Sequence, residues 1–339
     1  MYNIGMYAPS EKPLIDSFGR SVTYVRLSVT DRCDFRCLYC MSEDMSFVPR
    51  SQVLTLEELG QIARAFTELQ VTKIRITGGE PLVRKNVLQL FQEIGKLPGL
   101  NELVLTTNGS QLPLLAADLR AAGVKRINIS LDTLRSYRFR QLTRTGKLEK
   151  VLAGIDAAIE VGFEKIKLNS VILRNRNDDE IDDLVNFAIE RGLDISFIEE
   201  MPLGEVSGHD RKEDFISSDE IKTHLNQSFE LIPTTETTGG PSRYLKVQGT
   251  QTRIGFISPH SHNFCSSCNR VRVTAEGRLL LCLGHEHSVD LRKVVRSHPG
   301  NIEKLKQTIR DAMKLKPERH EFDLSVKPVI FRHMNATGG

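Results

Sequence analysis

Between residues 21 and 201 the sequence repeats one pattern: a short run in which apolar and polar residues alternate, then a helix-like run. The strand-like runs cover residues 21–30, 71–77, 101–108, 125–132, 165–172 and 194–201. Three intervening segments carry apolar stripes at the 3.6-residue period: Leu59, Ile62, Ala63 and Phe66; Leu148, Val151, Leu152, Ile155 and Ile159; and Ile181, Leu184, Val185, Ala188 and Ile189. Asp178 and Asp179 suit the N-terminal turn of the third stripe and Gly192 its end. Strands alternating with helices imply βαβ units and a parallel sheet. A parallel sheet covered on both faces reads as continuous hydrophobic runs, and these runs do not. Val25, Leu27 and Val29 alternate with Arg26 and Ser28; Ile74 and Ile76 with Lys73, Arg75 and Thr77. Ile127, Ile129 and Leu131 alternate with Asn128, Ser130 and Asp132; Ile166 and Leu168 with Lys165, Lys167 and Asn169. One face therefore packs under helices, and the other lines a polar chamber on the concave side of a curled sheet. The expectation is an α/β fold in which six βα units form a partial, TIM-like barrel. An amphipathic sheet with one solvated face is the alternative, and the helices between successive strands count against it.

All six cysteines fall into two triads, Cys33, Cys37 and Cys40 (C-x3-C-x2-C) and Cys265, Cys268 and Cys282 (C-x2-C-x13-C). Three thiolates cannot pair off as disulfides without leaving one over. They are also too few to fill a tetrahedral zinc site or all four corners of an iron–sulfur cube. Read as cluster ligands, they hold three irons and leave the fourth open, which is what separates a reactive centre from a structural one. In a reducing compartment this arithmetic favours metal or cluster binding, and no C-x-x-C is followed by His as covalent haem attachment requires.

The length of 339 residues suggests two domains, and a net charge of +3 gives no bulk electrostatic case for nucleic acid or an anionic membrane. No stretch approaches 18 apolar residues and no charged-then-apolar leader opens the chain, so a cytoplasmic location is expected. The chain divides into a loose lead-in (1–20), the barrel (21–230), a smaller C-terminal domain (231–333) and a tail (334–339). Within the C-terminal part, residues 217–229 read as a helix capped by Ser217 or Ser218, and 234–242 as a Thr/Gly/Pro-rich linker. Residues 243–248 and 253–259 read as strands, 270–282 as a hairpin about Glu276-Gly277, and 301–314 as a helix closed by Pro317.

Thr77-Gly78-Gly79-Glu80-Pro81 ends the second strand, and its two glycines allow a ligand to approach the backbone closely. Arg270 and Arg272 directly follow Cys268, and strand alternation puts both on one face, suited to a polyphosphate whose other end touches the metal. No G-x-x-x-x-G-K-[ST] run is present, so a P-loop is excluded. The second triad alone also resembles a zinc ribbon whose fourth ligand could be His262, His285 or His287.

The first triad, with an aromatic before its last cysteine, resembles the radical S-adenosylmethionine (SAM) enzymes. Both triads in this order resemble the GTP 3′,8-cyclase family of molybdenum-cofactor biosynthesis. The resemblance runs from about Ser17 to the C-terminus, through residues 25–33, 74–82, 106–109 and 264–272 and the terminal Gly338-Gly339. It implies two 4Fe-4S clusters at opposite ends of a partial barrel, the second carried by the C-terminal domain. The first, held by Cys33, Cys37 and Cys40, has SAM on its open iron and cleaves it to a deoxyadenosyl radical. That radical takes hydrogen from the ribose C3′ of GTP, and the resulting carbon radical attacks C8 of guanine. The second, held by Cys265, Cys268 and Cys282, binds the guanine.

The resemblance further implies SAM contacts at Gly79 (amino group), Tyr39 and the Met201 backbone (adenine), and Ser130 (ribose or methionine). It implies GTP contacts at Arg26, Arg75, Thr106, Lys167, Arg270 and Arg272, with Arg26 also catalytic. The tail enters the active-site opening and supports catalysis. The downstream cyclic pyranopterin monophosphate synthase is the implied functional partner, and a homodimer is one option for an oligomeric state that the sequence leaves open. One departure stands out: Ser196 occupies a position where the family usually has Arg, which removes a cation from the chamber. Two other readings compete. A peptide-modifying radical-SAM enzyme would want more C-terminal cysteines than Cys265, Cys268 and Cys282. A zinc-ribbon nucleic-acid module would want a basic surface and aromatic platforms, against 6% aromatics and no Trp.

Overall fold

The computed structural model describes residues 12–206, 208–324 and 330–338. The expected βα alternation is present. β1 (Tyr24–Ser28), β2 (Lys73–Thr77), β3 (Glu102–Thr107), β4 (Val124–Ser130), β5 (Lys165–Val171) and β6 (Asp194–Ile198) run parallel in sequence order. Between them lie α1 (Leu56–Glu68), α2 (Val87–Ile94), α3 (Leu112–Ala121), α4 (Ser136–Thr143), α5 (Leu148–Val161) and α6 (Ile181–Glu190). Most of each apolar stripe read from the sequence is buried: Leu59, Ile62, Ala63 and Phe66 of α1, Leu148, Val151 and Ile155 of α5, and Ile181, Leu184, Val185 and Ala188 of α6, while Leu152 and Ile189 are half-buried and Ile159 is exposed. α1 starts at a capping box in which the Thr55 hydroxyl accepts from the Glu58 amide and the Glu58 carboxylate accepts from the Thr55 amide. Gly192, at φ +66°, takes the left-handed conformation that ends the α6 region.

The sheet extends further than six strands. After β6 come α7 (Ser218–Ser228), capped by Ser217, then β7 (Leu231–Pro233), β8 (Arg243–Val247) and β9 (Arg253–Ile257). β9 returns parallel to β6, while β7 and β8 continue antiparallel. The chain then crosses to the opposite edge, where β10 (Arg270–Val273) lies parallel to β1. The expected hairpin about Gly277, at φ +83°, joins β10 to β11 (Arg278–Leu280), and β12 (Ser288–Asp290) closes that edge. The order is thus β12-β11-β10-β1-β2-β3-β4-β5-β6-β9-β8-β7. The C-terminal strands cap both edges of the barrel sheet, pairing backbone groups that β1 and β6 would otherwise expose. α8 (Leu291–Ser297) and α9 (Ile302–Met313) then pack on α1, where Lys306 meets Glu68 at 3.0 Å.

Residues 12–20 are pinned. Leu14 and Asp16 are buried, and Ile15 bridges Ser21. Arg20, held by Asp16 at 2.6 Å, donates to the carbonyls of Cys265, Pro317 and Glu318. Residues 1–11 of the expected lead-in lie outside the described residues. Among the described residues no helix is long and apolar enough to cross a membrane.

Candidate active site

Strand polarity fixes where the chemistry can sit. In a parallel array all C-terminal strand ends share one side. The loop carrying Cys33, Cys37 and Cys40 follows β1, so this triad lies at that side. Cys265 and Cys268 precede β10, which runs parallel to β1, and Cys282 follows antiparallel β11, so the second triad lies at the N-terminal side. All six cysteines are free thiols lining one chamber. Four residue steps separate the level of Tyr24 from that of Ser28, about 13 Å at roughly 3.3 Å per residue.

At the C-terminal side the glycines have a structural duty. A Cβ on Gly79 would lie 2.5 Å from the Arg32 carbonyl oxygen, and one on Gly78 2.6 Å from that of Thr30. Their absence lets the cysteine loop lie flat on the end of β2, where the Gly79 amide donates to Thr30 O at 2.8 Å and the Glu80 amide to Arg32 O at 2.8 Å. The buried Glu80 carboxylate accepts from the Leu82 amide at 3.0 Å, the Thr107 hydroxyl at 2.7 Å and the Asn108 amide at 2.6 Å, locking β2 to β3. Burial pushes its pKa up to about 7 despite these donors. The side chains of Asn108 and Ser110 donate to Asp34, next to Cys33, at 2.6 and 2.7 Å. The Tyr39 hydroxyl donates to Asp132 at 2.6 Å, and burial holds that carboxyl up at about 6.

Burial also pushes the thiols of Cys33, Cys37 and Cys40 up, Cys40 to about 12, with the neighbouring sulfurs adding to the shift of Cys37. Three adjacent half-buried thiolates are unfavourable without a compensating cationic group. That chemistry, together with the backbone cradle at Gly78-Gly79, fits a cluster with a small polar ligand beside it. Gly79, Ser130 and Met201 all line the chamber, and the Met201 carbonyl accepts from the Leu203 amide at 2.8 Å.

The middle of the chamber is a lattice of cations set by strand register. Arg272, Arg26 and Arg75 stand side by side on β10, β1 and β2. One alternation below, Arg270, Tyr24 and Lys73 form a second row. Adjacent strands are about 4.8 Å apart, and like charges directly opposite each other are destabilising. Among the described residues no Asp or Glu pairs with Arg75 or Arg272. Arg75 instead donates to the Tyr24 oxygen at 2.5 Å, the Leu105 carbonyl at 3.0 Å and the Thr106 hydroxyl at 3.0 Å. Burial, followed by the charges of Arg26 and Arg270, drives Arg272 well below its usual value, and burial with the Arg75 and Arg270 charges brings Arg26 down to about 10. Burial would raise the Tyr24 phenol, but Arg75, Arg26 and Lys73 together outweigh it and lower the pKa to about 6. Lys167, lowered by burial, donates to the Tyr244 hydroxyl at 3.2 Å. This chamber is over-supplied with positive charge and suits a polyanion.

The tail reaches the same place. α10 (Met334–Thr337) is held by the Met334 backbone amide on the Cys40 carbonyl at 3.3 Å and the Asn335 side-chain amide on the Asp31 carbonyl at 2.8 Å. The Gly338 carbonyl accepts from Arg272 at 2.7 Å and from Arg26 at 3.1 and 3.3 Å. Gly339 lies outside the described residues.

Every site residue expected from the sequence lines this one chamber. Lys73, Asp132 and Asn108 also line it; alternation places the first two on the polar strand face without a role, and Tyr24, on the β1 face it shares with Arg26, lines it too and was missed. Ser196 is fully buried, its hydroxyl 3.0 Å from that of Ser242 beside Gly255. Arg253, one alternation away on β9, does not replace the missing cation, because Asp194 and Glu236 hold it. The histidines considered as zinc ligands have other partners: His262 pairs with Asp219 at 2.9 Å, His285 with the Arg319 carbonyl at 2.9 Å, and the His287 ring stacks on that of His285.

Comparison with known proteins agrees with this geometry. Residues 27–188 match the family model described as Radical SAM superfamily, and residues 193–322 that described as Molybdenum Cofactor Synthesis C. The GTP 3′,8-cyclase of Saccharophagus degradans is 64% identical over 96% of this chain and 98% of its own, and that of Ectopseudomonas mendocina is 61% identical over the same shares. The chain belongs to the GTP 3′,8-cyclase family. Membership in the radical-SAM superfamily implies SAM and a 4Fe-4S cluster. Among solved structures, Streptococcus suis SuiB bound to S-adenosylmethionine aligns with a TM-score of 0.60 at 16% identity, over 93% of this chain and 77% of that one. The same protein bound to precursor peptide SuiA gives 0.59 at 16% identity, covering 94% and 77%. At that identity the likeness concerns the fold alone.

Proposed function

We propose that this chain is a radical-SAM GTP 3′,8-cyclase that converts GTP to (8S)-3′,8-cyclo-7,8-dihydroguanosine 5′-triphosphate, the first step of molybdenum-cofactor biosynthesis. One observation carries the reading: two cysteine triads at opposite ends of the same strands, with rows of cations between them. In this reading Cys33, Cys37 and Cys40 hold the cluster beside SAM, and Cys265, Cys268 and Cys282 hold a second 4Fe-4S cluster. When bound, these groups supply the deoxyadenosyl radical and an open iron for the base. The protein's own share is orientation and charge. Arg26, Arg75, Arg272 and Lys167 neutralise the triphosphate, Arg270 sits beside the second triad, and Thr106 positions the nucleotide. Tyr39, held by Asp132, and Gly79, Ser130 and Met201 form the SAM side. Gly338 keeps Arg26 and Arg272 aligned through its carbonyl.

The test uses anaerobically reconstituted protein with iron, sulfide and zinc counted, then given SAM, dithionite and GTP. The expected result is about eight irons, by the two-cube stoichiometry of two triads, with GTP-dependent 5′-deoxyadenosine and a product isobaric with GTP. Four irons plus zinc and no dependence on GTP would defeat the proposal.

A further inference from the structure

The geometry points to Lys316 as the fixed counter-charge of the C-terminal triad, a positioning residue that stabilises the cluster there and raises its reduction potential. This inference rests on the two-cluster reading above.

Lys316 follows α9 and is only 3% exposed. Its ammonium donates to Cys268 Sγ at 3.5 Å, to the Arg270 carbonyl at 3.1 Å and to the Leu281 carbonyl at 2.8 Å. Those contacts use all three of its donors. Arg270 follows Cys268 by two residues and Leu281 immediately precedes Cys282, so one ammonium ties two arms of the triad together. The third arm is tied to the same segment by Arg20, which donates to the Cys265 carbonyl at 2.8 Å and to the Pro317 and Glu318 carbonyls at 2.6 Å each.

The partners of Lys316 set it apart from the other buried lysines. Lys73 has Glu102 at 3.0 Å, and Lys306 has Glu68 and Glu303 at 3.0 and 2.7 Å. Among the described residues no carboxylate pairs with Lys316. A buried ammonium is costly unless an anion faces it. The one bonded atom able to carry negative charge is the Cys268 sulfur, so the site is electrostatically complete with a thiolate, not a thiol. A cluster held by these three cysteines also gains one negative charge on reduction, and a fixed cation in a buried setting favours that reduced state. The N-terminal triad is built differently. Its described side-chain donor to sulfur is the neutral Asn108 amide, 3.9 Å from Cys33 Sγ.

The experiment uses the full-length chain carrying Cys33→Ala, Cys37→Ala and Cys40→Ala, so that the C-terminal triad alone loads, with potentiometric titration followed by electron paramagnetic resonance. Lys316→Met is expected to shift the one-electron reduction equilibrium at least tenfold toward the oxidised cluster, about 59 mV lower. Lys316→Arg, which keeps the charge, is expected to stay within half of that shift. If Lys316→Met fails to retain iron, recovery of iron by Lys316→Arg supports the charge role, and equal loss in both variants overturns it. An unchanged potential in Lys316→Met at full iron content overturns the role of Lys316 alone. Absence of iron from the parent chain overturns it together with the second cluster.

Discussion

Replacing Gly338 by alanine isolates what the tail does. Gly338 sits at φ +76°, and a Cβ there would approach Thr77 Cγ2 to 2.5 Å and Ser28 Cβ to 3.3 Å. The left-handed conformation costs an ordinary L-residue roughly 1–2 kcal/mol, a 5- to 30-fold shift toward an undocked tail. The hydrogen bonds from Arg26 and Arg272 to the Gly338 carbonyl are lost on undocking in the native chain and the variant alike, so they do not enter the difference. The contact with the buried Thr77 methyl adds to the strain, because side chain, strand or tail must shift to relieve it. The expected rise in the undocked population is therefore at least about 5- to 30-fold, by the tenfold-per-1.4 kcal/mol relation. Asn335 and Thr337 are buried in the docked state, so carboxypeptidase release of the C-terminal residues, followed by mass spectrometry, tracks the undocked fraction when docking is fast relative to cleavage. GTP turnover should fall in parallel while iron content holds. Gly300→Ala serves as the control, since Gly300 has a similar φ of +74° with nothing within 4 Å. Native release rates in Gly338→Ala, with native turnover, would refute the argument that glycine geometry seats the tail.

Three further outcomes are expected. Cys37→Ala should abolish SAM cleavage, whereas Cys268→Ala should retain a cluster able to cleave SAM yet lose cyclisation; native-rate cyclisation by Cys268→Ala would remove the basis for two clusters. Arg272→Ala should weaken GTP binding by about one to two orders of magnitude, from charge-assisted hydrogen bonds worth roughly 1.5–3 kcal/mol, with iron content unchanged, as equilibrium nucleotide binding would read out. His209, its side chain fully buried, bonds Glu200 at 2.6 Å and Asp214 at 2.7 Å, with Arg211 also on Glu200 and Arg176 on Asp214. Burial opposes its charged form, but the two carboxylates outweigh burial and raise its pKa. A raised histidine contributes stability that is complete below the unfolded value near 6.5 and lost as pH climbs through the folded value. Melting temperature should therefore drop between pH 6 and pH 9 by more in the native chain than in His209→Gln; equal drops would show that His209 does not couple to stability.

The chamber was legible from alternation because Arg26, Arg75 and Lys167 each sit between buried apolar neighbours on one strand, a pattern that period 2 exposes directly. The same logic places Lys73 on that face and reaches Tyr24, two residues before Arg26, which a motif-led reading passes over. Residue period gives the face of a strand but not its neighbour. That β9 and β10 complete the two edges of the barrel sheet depends on pairings across 59 and 246 residues, between Ile195 and Ile254 and between Val25 and Val271, which no local pattern encodes. Lys316 and Arg20 were opaque for a related reason. A lysine before a proline, and an arginine in an apparent lead-in, look solvated until the fold brings them to the second triad.

The parallel register of β1 and β10 has a geometric consequence. One triad hangs from the exit of β1 and the other from the entrance of β10, and the ladder from Tyr24–Arg270 to Leu27–Val273 allows no sliding between them. A slip by a single residue would turn Arg26 or Arg272 out of the chamber into the apolar layer. The strand pair is therefore a ruler as well as a wall: it fixes the length of chamber that an occupant held between the two triads must span.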